Sequence, residues 1–221
     1  MLDPVGLDQE LMAYYNAEAI GGHRVEQGTI RLRLGERFRE LLRAESRTSL
    51  VDVGAGPGLD TLLWKRDGFG VVGVDLGQQN CKVMHTKGLV AVNASLYDLP
   101  FPDAAFDALW TMSTFVHVPP ARVPHALREL VRVVRPGGPI AIGTWGGRDF
   151  AAYPEFGEIR PFRYFSLATH DRWLASLEAE SSVDSFETFS PNGDDGWQYQ
   201  FAIVRRRPAS SPSAATPNLC S

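Results

Sequence analysis

Two short segments hold the residues best placed to do chemistry. Val51–Gly58 reads Val-Asp-Val-Gly-Ala-Gly-Pro-Gly, and Gly70–Asp75 reads Gly-Val-Val-Gly-Val-Asp. A glycine-rich turn joining a buried strand to a helix lets a ligand lie against the backbone, because no Cβ stands in its way. Gly54, Ala55, Gly56 and Gly58 form that turn. An acid at the end of the next strand, Asp75, can accept hydrogen bonds from both hydroxyls of a ribose. Together they place a nucleoside across the ends of two adjacent strands. The dinucleotide pattern G-x-G-x-x-G fails, since its third glycine falls on Leu59 when counted from Gly54 and on Thr61 when counted from Gly56. No G-K-[ST] completes a phosphate loop. Asp52 points a second carboxylate toward the turn, which repels a pyrophosphate and suits an ammonium or sulfonium. The pattern describes a nucleoside with a cationic tail and no phosphate.

The hydrophobic pattern supplies a frame for these residues. Ser49–Val53, Gly70–Asp75, Leu89–Asn93, Phe106–Met112 and Pro139–Trp145 read as short buried strands. Helical patterns at Thr61–Arg66, Gln78–Lys87 and Val123–Val134 alternate with them. Arg135-Pro136-Gly137-Gly138 ends the last helix, glycine giving the left-handed cap and proline barring extension. Such alternation demands parallel strands joined by right-handed crossovers, hence a doubly wound α/β sheet. Val183–Phe189 and Trp197–Arg205 are two late strands, and the short link between them predicts an antiparallel hairpin at the sheet edge. Upstream, residues 1–28 hold one short helix and a loop, and Thr29–Arg43 forms an amphipathic helix with a basic outer face. His170–Glu180 reads as a helix with Thr169 at its N-cap.

The segment from Leu50 to Trp145 resembles the class I (Rossmann-like) S-adenosylmethionine-dependent methyltransferases of the small-molecule type. VDVGAGPG resembles their first motif, VVGVD the second, and NASLYDLPFPDAAFDAL the third and fourth. HALRELVRVVRPGGPIAIGTW resembles the helix, turn and strand that follow. The resemblance implies a three-layer Rossmann-like sheet of seven strands, mostly parallel with the last antiparallel, and S-adenosyl-L-methionine as cofactor. It also implies roles. Gly54, Ala55, Gly56 and Gly58 surround the methionine and ribose, with Asp52 near the amino group. Asp75 binds the ribose and Leu76 packs on adenine. In many relatives a Gly-Asp-Ala triplet contacts the adenine amine; here Ala94-Ser95-Leu96 stands in its place, with Ser95 for the acid and Leu96 still able to pack. Thr111 and Met112 face the donor. An N-terminal tyrosine, Tyr14 or Tyr15, contacts the donor or acceptor from a lid, or packs within its helix. Arg24, Arg31 or Arg33 pairs with the donor carboxylate, although a basic helix face also explains the last two. Residues 1–45 are then a helical lid, 46–207 the methyltransferase domain, and 208–221, rich in Pro, Ser and Ala, a disordered tail.

Methyl transfer is an in-line displacement, and a base is needed when the acceptor is still protonated. His117, after the fourth strand, is the leading base; the alternative is a histidine that packs its loop. His23 can close over the site or stand exposed in a loop. The link 146–168 is long for a compact domain and rich in aromatics, which predicts a substrate loop or a satellite hydrophobic cluster. Phe115, Arg163, Tyr164 and Phe165 are the acceptor-side candidates. No [DNS]-P-P-[FY] follows the fourth strand, no cysteine lies there to attack a pyrimidine, and no metal-ligand cluster stands out.

Composition agrees with a small-molecule enzyme. The 221 residues are 44% hydrophobic and 22% charged, ordinary for a globular chain. Two cysteines, Cys81 and Cys220, rule out a disulfide framework. The net charge of −4 argues against nucleic acid or an anionic membrane as partner. No long apolar run or basic leader is present, so a cytoplasmic monomer or homodimer is expected. A nicotinamide-dependent oxidoreductase and a non-catalytic protein keeping the fold are the rival readings.

Overall fold

A computed structural model describes residues 4–22, 26, 28–152, 165–190 and 197–208. Two helices, α1 (Pro4–Gly21) and α2 (Thr29–Ala44), precede an alternating core. That core runs β1 (Ser49–Val53), α3 (Leu59–Arg66), β2 (Gly70–Asp75), α4 (Gln78–Thr86), β3 (Val90–Asn93), β4 (Ala108–Met112), α5 (Val123–Val133) and β5 (Pro139–Gly146). Short 3-10 turns at Phe115–His117 and Pro120–Arg122 lie between β4 and α5. The chain continues through β6 (Phe150–Ala152), β7 (Phe165–Leu167), α6 (His170–Glu180), β8 (Ser182–Phe189) and β9 (Gln198–Arg205).

Seven strands form one sheet in the order β3-β2-β1-β4-β5-β9-β8. β1 to β5 pair in parallel, and β9 runs antiparallel to both its neighbours, β5 and β8. The expected hairpin therefore closes one edge of the sheet, with β9 inserted inside β8. β4 is buried at all five positions, as a central strand covered on both faces must be. On one face Val51, Val53 and Leu109 pack against Leu127 and Leu130 of α5 and Leu177 of α6. On the other, Leu50 and Trp110 pack against Leu34 and Phe38 of α2 and Trp64 of α3. Phe38, Trp64 and Trp110 meet ring to ring at 5.2–6.0 Å, distances at which aromatic pairs attract beyond their area.

Three elements differ from the pattern read in the sequence. α1 is a full helix of 18 residues, where one short helix was expected; its apolar stripe is too weak to stand out by periodicity alone. β4 begins at Ala108, and Phe106 makes a single parallel bridge to Val134. The link 146–168 contains an antiparallel ribbon of β6 and β7, strands too short for alternation to be legible. Residues 153–164 of that link lie outside the described residues. No helix among the described residues is long and apolar enough to cross a membrane.

Asp107 ties the entry of β4 to that of β1. Its carboxylate accepts from the backbone N–H groups of Thr48 and Ser49 at 3.1 and 3.0 Å, and it pairs with Arg135. Burial alone would raise its pKa, but those N–H groups, the Ser49 hydroxyl and the Arg135 charge hold it down at about 2. A depressed folded pKa contributes stability above the ordinary carboxylate value and loses it as the pH falls toward the folded one. Asp107→Asn should cost about 2 kcal/mol at pH 7. Urea unfolding midpoints check this: the gap from wild type should close between pH 4 and pH 2, and a gap constant with pH contradicts it.

Candidate functional site

At the C-terminal ends of β1, β2 and β4 the sheet opens into a cavity of about 730 Å³, part of it open solvent. Its floor is Val53, Gly54, Gly56, Val74, Asp75 and Met112. One wall is Leu76, Ala94, Ser95, Leu96 and Tyr97, and another is Ser113, Thr114, His117 and Val118. Asp8, Leu11 and Tyr15 of α1 close the third side. Among the described lining residues, Asp8 and Asp75 are acidic and none is lysine or arginine.

Asp75 sits where β2 ends, and its carboxylate organises the turn. One oxygen accepts from Gly56 N–H at 2.7 Å; the other accepts from Gly77 N–H at 2.8 Å and from Asn80 Nδ2 at 3.0 Å. Charge-assisted bonds of this length are the strong ones. Gly54 and Ala55 both donate to the Val74 carbonyl, at 2.8 and 3.0 Å. Gly54 holds φ at 74°, and a Cβ there would fall on the Thr114 hydroxyl. Gly58, at φ 78°, would push a Cβ to 2.5 Å from Met84 Cγ. Glycine is required at both positions by conformation and by contact.

The far side of the cavity holds a tyrosine–histidine pair. The Tyr15 hydroxyl and His117 Nε2 are 2.5 Å apart, joining α1 to the 3-10 turn after β4. Arg122 binds Asp8 at 3.2 Å and lies over the Tyr97 ring at 3.4 Å. Asn16 Oδ1 accepts from Gln79 N–H at 2.9 Å. These three contacts seat α1 on the cavity.

Of the residues singled out in the sequence, Gly54, Gly56, Asp75, Leu76, Ser95, Leu96, Met112, Tyr15 and His117 meet in this cavity. Ala55 and Gly58 shape the turn from beneath, Ala55 packing with Cys81 and Met84. Tyr14 does not line the cavity and stands edge-on to Tyr15 at 5.0 Å. Thr111 is buried outside it, because alternation along β4 turns it away from Met112. Phe115 packs in the core on Trp173, with ring centroids 5.1 Å apart. Arg31 pairs with Asp60 on α3 and does not face the cavity. His23, Arg24, Arg163, Tyr164 and the side chain of Phe165 lie outside the described residues. Asp8, Leu11, Ser113, Thr114 and Val118 escaped the sequence reading. The 8, 11, 15 spacing on α1, one helix face, was the signal for the first two.

Asp52 departs most from expectation. On a strand, neighbours point to opposite faces, so Val53 reaches the cavity while Asp52 turns toward α3. It is 0% exposed, accepts from the Thr61 hydroxyl at 2.6 Å through one oxygen, and has no partner for the other. Burial, then the neighbouring Asp60 charge, pushes its pKa up to about 7. A carboxyl whose folded pKa is raised costs stability as the pH climbs through the unfolded and then the folded value. Asp52→Asn should therefore gain stability relative to wild type as the pH rises from 4 to 8. Denaturation midpoints across that range test this, and a difference independent of pH contradicts it.

The motifs, the sheet and the cavity all have counterparts in known proteins. A family model described as a methyltransferase domain matches residues 51–142. The chain is 34% identical over 146 residues to the 2-methyl-6-phytyl-1,4-hydroquinone methyltransferase of Synechocystis sp., a match covering 63% of this chain and 43% of that protein. It is 27% identical over 122 residues to the 27-O-demethylrifamycin SV methyltransferase of Amycolatopsis mediterranei, covering 51% and 44%. The chain thus spans less than half the length of these two relatives. Among solved structures, the 1,6-didemethyltoxoflavin-N1-methyltransferase of Burkholderia thailandensis, with bound 1,6-didemethyltoxoflavin and S-adenosylhomocysteine, superposes with a TM-score of 0.70. That match has 20% identity and covers 94% of this chain and 92% of the other. Motif order, strand order and these likenesses agree: residues 51–142 match a methyltransferase domain, and the chain has the Rossmann-like fold of S-adenosylmethionine-dependent methyltransferases.

Proposed function

We propose that the protein transfers a methyl group from S-adenosylmethionine to an oxygen or nitrogen of a small molecule. The observation that carries this reading is the charge of the cavity. Its described lining holds two carboxylates and no lysine or arginine. Asp8 is paired with Arg122, so Asp75 is the acid that a pyrophosphate would oppose, whereas a sulfonium and an ammonium are favoured beside it. The acids are joined by a slot of apolar side chains, Val74, Leu76, Ala94 and Leu96, suited to a flat base.

The residues present fit the donor. Asp75 holds the ribose hydroxyls, Leu76 and Leu96 flank the adenine, and the Ser95 hydroxyl, which accepts from Tyr97 N–H at 3.3 Å, has its own proton to offer the ring. Gly54 and Gly56 let the methionine arm lie on the backbone. The bound donor supplies an electrophilic methyl on sulfur. The Tyr15–His117 pair handles the acceptor's proton. As the acceptor's heteroatom forms its bond to the methyl carbon and the carbon–sulfur bond breaks, the proton passes to the Tyr15 oxygen. The Tyr15 proton moves to His117 Nε2, poised at 2.5 Å. α1 and its three tethers exclude water from the line of attack.

Calorimetric titration tests the donor half. Wild type should bind S-adenosylhomocysteine, and Asp75→Asn should weaken it by about 10- to 100-fold, the worth of a hydrogen bond to a charged acceptor. His117→Ala should leave that affinity within about 3-fold while lowering turnover by at least about 100-fold. Failure of the folded wild type to bind S-adenosylhomocysteine contradicts the reading.

A further inference from the structure

Arg122 does not line the donor cavity, yet it reaches residues from each of its walls. Its Nη1 donates to Asp8 Oδ1 of α1 at 3.2 Å. Its guanidinium lies over the Tyr97 ring, 3.4 Å from the centroid, well inside the range of a cation–π contact. Asp8 and Tyr97 line the cavity on two different sides. Arg122 itself ends the 3-10 turn Pro120–Arg122, which continues the third wall, the one bearing His117 and Val118. One side chain thus ties the three walls together from behind.

Two of those walls carry the Tyr15–His117 pair. Tyr15 stands on α1 seven residues after Asp8, two helical turns on the same face and about 10 Å along the axis. His117 stands five residues before Arg122. The chain between them is stiff. Val118 is buried, Pro119 and Pro120 have fixed φ, and Arg122 N–H donates to the Pro119 carbonyl at 2.8 Å. A stiff helix and a stiff turn therefore meet at two points, Tyr15 on His117 and Asp8 on Arg122. One point is a pivot, whereas two points about 10 Å apart hold the helix against swinging. A partly exposed ion pair contributes little to stability, so what this one supplies is position. Proton transfer needs heavy atoms within about 3.2 Å. The Tyr15–His117 separation of 2.5 Å leaves about 0.7 Å of slack.

Resting on the methyl-transfer reading, we propose that Arg122 is a positioning residue, which grips Asp8 and Tyr97 and thereby keeps the Tyr15 hydroxyl on His117 Nε2. It acts through those two side chains and not on the reacting atoms.

The test uses the full chain with nitrogen-15 histidine, and follows the His117 ring nitrogens by NMR at one pH. Their signal is assigned by its loss in His117→Ala. Tyr15→Phe removes the bond outright and gives the reference signal of its absence. Arg122→Ala should move the wild-type signal toward that reference. Asp8→Ala should move it in the same direction. Removing a cation and removing an anion act oppositely on His117 through their fields, whereas losing the tether acts alike in both. Arg122→Ala should also bind S-adenosylhomocysteine within about threefold of wild type by calorimetry, because Asp75 and the glycine turn are untouched. The proposal is overturned by a His117 signal unmoved in Arg122→Ala, or by opposite shifts in the two variants. It is also overturned if Arg122→Ala loses S-adenosylhomocysteine while wild type binds it, since the residue would then maintain the cavity itself. Intact donor binding with an unmoved signal removes the positioning role alone. Absent donor binding in wild type removes the methyl-transfer reading beneath it.

Discussion

The site depends on one carboxylate. Asp75 accepts from Gly56, Gly77 and Asn80 and so fastens the glycine turn after β1 to the start of α4. The same residue's carbonyl accepts from Ala94 N–H and Asn93 Nδ2, which brings in the end of β3. Three loops from three strands thus converge on a single residue. Because the carboxylate is already ordered by backbone donors, a ligand reaching it would find it in place. The left-handed backbone at Gly54, Gly56 and Gly58 needs no such support, because glycine adopts it without strain.

The second constraint is the seating of α1. Its face bearing Asp8, Leu11 and Tyr15 completes the cavity, and it is held by side chains from three different places: Arg122, His117 and the backbone of Gln79. The buried cluster on the opposite face, Asp52 with Thr61 and Arg31 with Asp60 and the Trp110 indole, stands behind the turn as a support.

How much of this was legible in the sequence follows from the range of the forces involved. Strand–helix alternation, the glycine turn and Asp75 are local patterns, and they mark the sheet and the cavity at its strand ends. Asp52 was misplaced because residue type was weighed above strand alternation: Val51 and Val53 face the α5–α6 layer, so Asp52 must face α3. Phe115, an acceptor-side candidate, is rotated by a 3-10 turn onto Trp173. The Tyr15–His117 bond joins residues 102 positions apart, and no periodicity reports a contact of that range.

The central claim is that Asp75 both builds the cradle and binds the nucleoside. A crystal structure of the protein with S-adenosylhomocysteine tests it most directly. The account places the ribose hydroxyls within about 3.2 Å of the Asp75 carboxylate, the adenine between Leu76 and Leu96, and the sulfur on the Tyr15–His117 side, with the bonds from Gly56 and Gly77 intact. A nucleoside bound elsewhere, or an Asp75 that turns away from it to keep its backbone donors, would contradict the account.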